Sequence, residues 1–343
     1  MKKSLIFLPA LFLLLALPGS ELGAKVYIDI RSPSFRKFPV GIAPFQSAAS
    51  TGQNMQLGER STEILKNDLD LCGFFALITP SGPVEKDSPS ATGLPPRGGQ
   101  TPPAAEVEGV DFRPWASLGA EALVVGTASY REGVLTLEAR LYDVVKKEMI
   151  LGKRYIGEIT DLSRMVHRFA DEIVFALTGE QGFFQTKIIF VSQVGGFKEL
   201  HLMDYDGRNV VQITNHKSII LSPRVSPDGT KVVFTSYKFG NPDLFLRDLR
   251  TGEEKRISSY PGLNISPAWS PDGKKIALTL SKDGNPEIYT MNPDGSGLIR
   301  LTNHPAIDVS PTWAPDGRRI AFVSSRGGNP QIYVMQADGQ NIQ

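Results

Sequence analysis

The residues of this 343-residue chain that could carry chemistry are few: four histidines, one cysteine, and aspartates at a fixed spacing. Asp228, Asp272 and Asp316 follow one another at intervals of 44 residues. Brought together, three carboxylates would hold a divalent cation. Each, however, sits in a Ser-Pro-Asp-Gly or Ala-Pro-Asp-Gly stretch, at 226–229, 270–273 and 314–317. Pro presets its own φ, Asp bonds the backbone that follows, and Gly accepts a positive φ, so these are hairpin turns on separate units. A calcium loop needs several oxygen ligands within one short segment, and no DxDxDG run occurs.

His216 and His304 hold equivalent positions two intervals apart, with Tyr260 in register between them. Neither has a Cys or acidic partner nearby in sequence, so no metal site and no cofactor is expected. Cys72 lies in the apolar run LCGFFALI and has no second cysteine to pair with; a buried, inert thiol is expected. A serine hydrolase needs Gly-x-Ser-x-Gly on a strand-to-helix turn, and the chain has no such motif. With a net charge of +1, the composition suggests no nucleic acid partner.

The elements that carry these residues are repeats. Gly-Asn-Pro recurs at 240–242, 284–286 and 328–330, and a second Ser-Pro at 222–223, 266–267 and 310–311, all at the interval of the aspartates. A period of about 40–45 residues marks a propeller blade. The middle repeat reads as four short strands: SPAWS, KKIALTLS, EIYTM and LIRLT, separated by turn residues. Trp269 and Trp313, with Val225 in the first repeat, occupy equivalent places on the innermost strand and are expected as core between blades. The repeats begin near Gln185, at a second strand, and run to Gln343. That leaves about three and a half blades, so a C-terminally truncated chain is expected, its first blade completed from a missing far end.

The preceding half has a different texture. Residues 1–24 have a basic start, an apolar stretch shorter than the roughly 20 residues a bilayer requires, and small residues up to Ala24. They read as a secretory signal peptide cleaved after Ala24, so the mature protein is expected to be exported and not membrane-spanning. Residues 25–180 then read as an α/β domain. Strands are expected at 25–30, 38–45, 74–78, 122–126, 134–143 and 148–156. Helices are expected at 58–71, at 111–119 around Trp115, and at 161–177, where Asp161 is placed to cap and His167 falls on the polar face. Residues 79–108 are rich in Pro, Gly and Ser and read as a mobile loop.

Signal peptide, small α/β domain and Ser-Pro-Asp-Gly propeller, in that order, resemble the TolB family, the periplasmic component of the Tol-Pal system. The resemblance rests on residues 25–30 with 39–45 (PVGIAPF), on 116–126 (ASLGAEALVVG), on 178–192 (TGEQGFFQTKIIFVS), and on the repeats. The chain departs from the family in the length of 79–108 and in the absence of the last blades of a six-bladed ring. The resemblance implies a scaffold without catalysis that supports outer-membrane integrity and cell division. It implies binding of the lipoprotein Pal at the channel mouth, with other outer-membrane lipoproteins as further candidates, and binding of TolA by the mature N-terminus.

On the chain, the N-terminal contact would be Lys25, Val26, Tyr27, Ile28, Asp29 and Ile30, an extended strand able to add to a partner's sheet or to pair in its own domain. The channel-mouth contact would be His216, Ile219, Tyr260, Leu263, Asn264, Ser266, His304, Ile307 and Val309. Ile219, Leu263 and Ile307 are equivalent, as are Leu221, Ile265 and Val309; one set is expected to be buried and the other to face the mouth. The competing classes are the propeller of an exported serine hydrolase and an oligosaccharide lyase with His and metal in its channel.

Overall fold

The computed structural model describes Ile28 and residues 36–47, 52–79 and 109–343. The signal peptide with Ala24, then Lys25, Val26, Tyr27, Asp29 and Ile30, and residues 80–108 lie outside the described residues. The chain divides between Gly182 and Phe183 into two compact units.

In the first unit the hub is β1 (Phe38–Ile42), whose last three residues are buried. Parallel strands flank it on both sides: β3 (Phe75–Ile78) and β4 (Ala122–Arg131). Between β1 and β3 come β2 (Gln46–Ser47), paired with β4, and helix α1 (Gly52–Leu71). Parallel neighbours need a crossover of this kind. Helix α2 (Arg113–Ser117) precedes β4 and carries Trp115 against β1. A Cβ on Gly41 would stand 2.4 Å from the Trp115 ring, so glycine lets the indole close on the strand. From β4 the chain meanders antiparallel through β5 (Val134–Asp143) and β6 (Glu148–Gly157). Glu132 and Gly133 both have positive φ, the signature of a two-residue hairpin turn whose twist matches the strands. Helix α3 (Leu162–Thr178) closes the layer beside α1.

Several local expectations change. Helix α1 starts at Gly52 rather than Gly58. Asp161 holds the N-cap position of α3 but does not cap it: its Oδ2 accepts the N–H of Glu158 in a single turn of 3-10 helix, and its Oδ1 takes Arg164. His167 is buried, its Nδ1 2.7 Å from Asp68 on α1, because α3 packs that face on its neighbour. Ile28 belongs to no strand; its N–H donates to the carbonyl of Leu177 at 2.9 Å. Cys72 is half-buried, its Sγ donating to the Leu69 carbonyl, and burial pushes its thiol pKa up.

The second unit is four antiparallel sheets in chain order. The first has three strands, β7 (Lys187–Val194), β8 (Phe197–Asp204) and β9 (Val211–Gln212). The second is complete: β10 (Ile220–Val225), β11 (Lys231–Ser236), β12 (Asp243–Asp248) and β13 (Glu254–Ser258). The third repeats it with β14 (Asn264–Trp269), β15 (Ile276–Leu280), β16 (Glu287–Met291) and β17 (Ile299–Arg300). The fourth has β18 (Asp308–Trp313), β19 (Arg319–Ser324) and β20 (Gln331–Gln336). The first strands of successive sheets are neighbours, and the cores lie between sheets. One core joins Val233 and Leu244 of the second sheet to Ile276, Leu278, Tyr289 and Met291 of the third. This is the radial stacking of a β-propeller.

Trp269 packs on that core and donates its indole N–H to the carbonyl of Arg224 in the preceding sheet at 3.0 Å; Trp313 packs on the next core. Val225 does not share the role. It remains 44% exposed, too short to span the gap the indole fills. The Ser-Pro pairs also depart from regular strand. Ser222, Ser266 and Ser310 have φ of 52, 54 and 57°, and each stands in a register shift of its inner strand. The proline that follows lacks an N–H for the ladder, so the strand bulges there. Among the described residues no helix is long and apolar enough to cross a membrane.

Candidate functional site

The loops joining second to third strands and those joining fourth to first strands meet at one end of the propeller unit. Backbone bonds fix this: Tyr237 N–H to the Ile219 carbonyl at 3.0 Å, Ser281 to Leu263 at 3.2 Å, and Ser325 to Ile307 at 3.1 Å. The rim so formed presents Ile219 (46% exposed) and Ile307 (51% exposed), with Leu263 half-buried between them in sequence. The second apolar set is not buried beneath them. Leu221 is exposed, and Ile265 and Val309 are half-buried, because the bulge at the intervening serine turns the inner strand out of regular alternation. Ser266 itself is half-buried in that bulge.

What holds the rim is a set of buried acids that the sequence reading passed over. Glu199, Asp243 and Glu287 recur at the repeat interval, each at or near the start of its strand, on β8, β12 and β16. Glu287 Oε2 accepts the Thr302 hydroxyl at 2.5 Å; its Oε1 accepts the His304 N–H at 2.8 Å and Arg300 at 3.0 Å. Glu199 does the same with Thr214 and the Lys217 N–H. Asp243 is one methylene shorter, and here Asn264 takes over, its Oδ1 accepting the Ser258 hydroxyl at 2.6 Å and the Tyr260 N–H at 2.9 Å. The signal was legible: an acid follows Gly-Asn-Pro at 243 and 287.

These contacts relocate two expected mouth residues. Asn264 is fully buried as a loop brace and offers no surface to a partner. The His216 side chain is 4% exposed and faces the neighbouring sheet: Nδ1 lies 2.7 Å from Ser236 Oγ and Nε2 2.8 Å from Glu254 Oε1. His304 is half-buried, its Nδ1 accepting the Ala306 N–H at 3.0 Å, and Tyr260 is half-buried under the Lys282 ammonium. Of the N-terminal set only Ile28 is described, half-buried on the Leu177 carbonyl.

The Ser236–His216–Glu254 row has the connectivity of a nucleophile relay. It cannot act as one. Ser236 is fully buried, and its Oγ also accepts the Lys238 N–H at 3.2 Å, so no carbonyl carbon can reach it. Burial pushes the Glu254 carboxyl up, but the hydrogen bond from His216 and the charges of His216, Lys238 and Arg247 outweigh this and hold it below the usual range. The rim thus carries aliphatic side chains, Ile219 and Ile307 exposed and Leu263 half-buried, on braced loops.

Two family models match the chain: "TolB amino-terminal domain" over residues 26–150 and "TolB beta propeller domain" over residues 174–343. Among curated relatives, the "Tol-Pal system protein TolB" of Desulfosudis oleivorans is 37% identical over 228 residues, 66% of this chain and 48% of the relative. The protein of that name in Geobacter metallireducens is 48% identical over 174 residues, 51% of this chain and 37% of the relative. The chain thus matches less than half the length of these relatives. The crystal structure of TolB from Acinetobacter baumannii superposes with a TM-score of 0.71 at 28% identity, covering 90% of this chain and 71% of that one.

Proposed function

The chain belongs to the TolB family, and from that premise we propose that it is a non-enzymatic periplasmic scaffold of the Tol-Pal system. In this reading the loop rim binds the lipoprotein Pal, the mature N-terminus (residues 25–30) binds TolA, and the assembly supports outer-membrane integrity and division. The observation that carries the proposal is the aliphatic row Ile219, Leu263 and Ile307, exposed at both ends and half-buried at Leu263, repeated at one interval on loops that buried acids hold in place. Apolar side chains on a preorganised rim lose little entropy on association and can act as hot spots. Of the proposed mouth residues, Tyr260, His304, Ser266 and Val309 would flank this row, while His216 and Asn264 support from behind. The hydrolase reading has no support from the motifs present, and Ser236 of the His–Ser–Glu row is fully buried.

Replacing Leu263 and Ile307 together with Asp tests the site. Two anchors of this kind account for about 2 kcal/mol or more, so Pal affinity should fall by at least about 30-fold. The far-ultraviolet spectrum and the melting temperature should stay close to wild type, since one side chain is exposed and the other half-buried. Unchanged affinity by calorimetry would place Pal elsewhere.

A further inference from the structure

The cavity beside His216 is not accounted for by the scaffold reading. It measures about 560 Å³ and opens between the outer strand of the first sheet and the second sheet, lined by Gln212, Thr214, Asn215, Lys238, Arg247 and Glu254 among others. That volume is in the range of small-ligand sites.

The chain contains its own control for this slot. One repeat on, His216, Ser236, Arg247 and Glu254 correspond to Tyr260, Leu280, Met291 and Leu298. Those four pack into the apolar core between the second and third sheets. Two repeats on, the same positions are His304, Ser324, Met335 and Ile342, so the Arg247 and Glu254 positions are apolar in both later repeats and the charged pair is particular to this slot. A blade seam does not require polar residues at these places, and introducing them has a desolvation cost.

The donors in the open slot exceed the acceptors. Arg247 meets Glu254 only as an ion pair at 3.7 Å, and Lys238 meets it at 4.0 Å, both longer than a hydrogen bond. Glu254 Oε1 is already engaged by His216 at 2.8 Å. The Arg247 side chain is only 23% exposed, yet its planar fork has no bidentate acceptor among the described residues. Lys238 stacks over Phe239 and Phe245, which fixes its ammonium at the cavity edge without satisfying its donors. The charges facing the cavity are two cations against one carboxylate.

We propose that this slot binds a small oxyanion, a carboxylate or phosphate group, clamped by Arg247 and Lys238, with Asn215 at the entrance and Glu254 and His216 setting the back wall. The clamp is separate from the Pal and TolA proposals, since neither Arg247 nor Lys238 belongs to either; His216 alone is shared, as back wall here and as support behind the rim.

The probes are succinate and inorganic phosphate, titrated into the intact chain and followed by amide chemical shifts and by melting temperature. Saturable shifts at Asn215, Lys238, Arg247 and Glu254 are expected with at least one probe; which of the two saturates tells a carboxylate from a phosphate ligand. Arg247→Met, which installs the residue of the next repeat, should weaken binding by about tenfold or more, the usual effect of losing a charge-assisted pair. Arg250→Met, on the exposed turn at the end of β12, should leave it unchanged. If Arg247→Met impairs folding, the combination His216→Tyr, Ser236→Leu, Arg247→Met and Glu254→Leu reproduces the sealed slot and should fold without binding. Absence of saturation with both probes, or equal binding by the sealed variant, overturns the proposal.

Discussion

At the scale of single residues, the aspartates that first suggested metal chemistry act on their own turns. Asp228 Oδ1 accepts the Ser226 hydroxyl at 2.5 Å, the Thr230 N–H at 3.0 Å and the Thr230 hydroxyl at 2.9 Å. The Ser226 bond first, then those from Thr230, lower its carboxyl pKa to about 2. Asp272 is lowered in the same direction by Ser270 and the Lys274 N–H. A carboxylate depressed in the folded state adds stability above its unfolded pKa, near 4, and loses it as pH falls through the folded value. Asp228→Asn should therefore lower the melting temperature at neutral pH. The gap to wild type should close between about pH 4 and about pH 2, and a gap constant with pH in a series of thermal melts would refute the assignment. This chemistry was readable because turn bonding is local. The burial of His216 was not, since Ser236 and Glu254, which decide it, lie in the next sheet.

At the scale of elements, the strands were legible from alternation and turn residues, but their irregularities were not. Ser-Pro looked like the start of a regular inner strand; proline's missing N–H instead forces a bulge with serine at positive φ. The recurrence of the acids that brace the rim was legible after Gly-Asn-Pro, but their burial was not. A carboxylate at a strand start reads as solvated until the loop that folds over it is known. Glu287 illustrates the consequence. It is fully buried with Thr302, His304 and Arg300 around it. Glu287→Gln removes the charge facing Arg300 and turns an NH₂ toward donors. Breaking a buried pair costs about 3 kcal/mol or more, so the urea midpoint should fall clearly, with the largest loss of amide protection at 302–308. A loss spread evenly over the third and fourth sheets would mean that the acid acts on packing rather than on the loop. Asp243 with Asn264 shows the same brace built from a shorter acid and a second side chain, a pairing visible only in three dimensions.

At the scale of the molecule, the two units have separate cores, and the two proposed partners fall on different units. Sites without shared contacts are expected to be additive. Deleting residues 25–30 should abolish TolA capture and leave Pal affinity within about twofold, while Leu263→Asp with Ile307→Asp should do the reverse. Among the described residues the deletion removes the Ile28 N–H bond to Leu177, worth about 1 kcal/mol, and the first unit is expected to remain folded. That bond also makes the experiment informative. If TolA takes this segment by strand addition, its binding competes with the bond to the end of α3, and protection of the Ile28 amide from exchange should change on TolA binding. If instead TolA still binds the deleted chain with wild-type affinity, the contact lies outside 25–30. Loss of both partners in the deletion variant would show that the two sites are coupled rather than additive. Each outcome is read from calorimetry with both partners on one preparation, with the exchange of a single amide as the structural check.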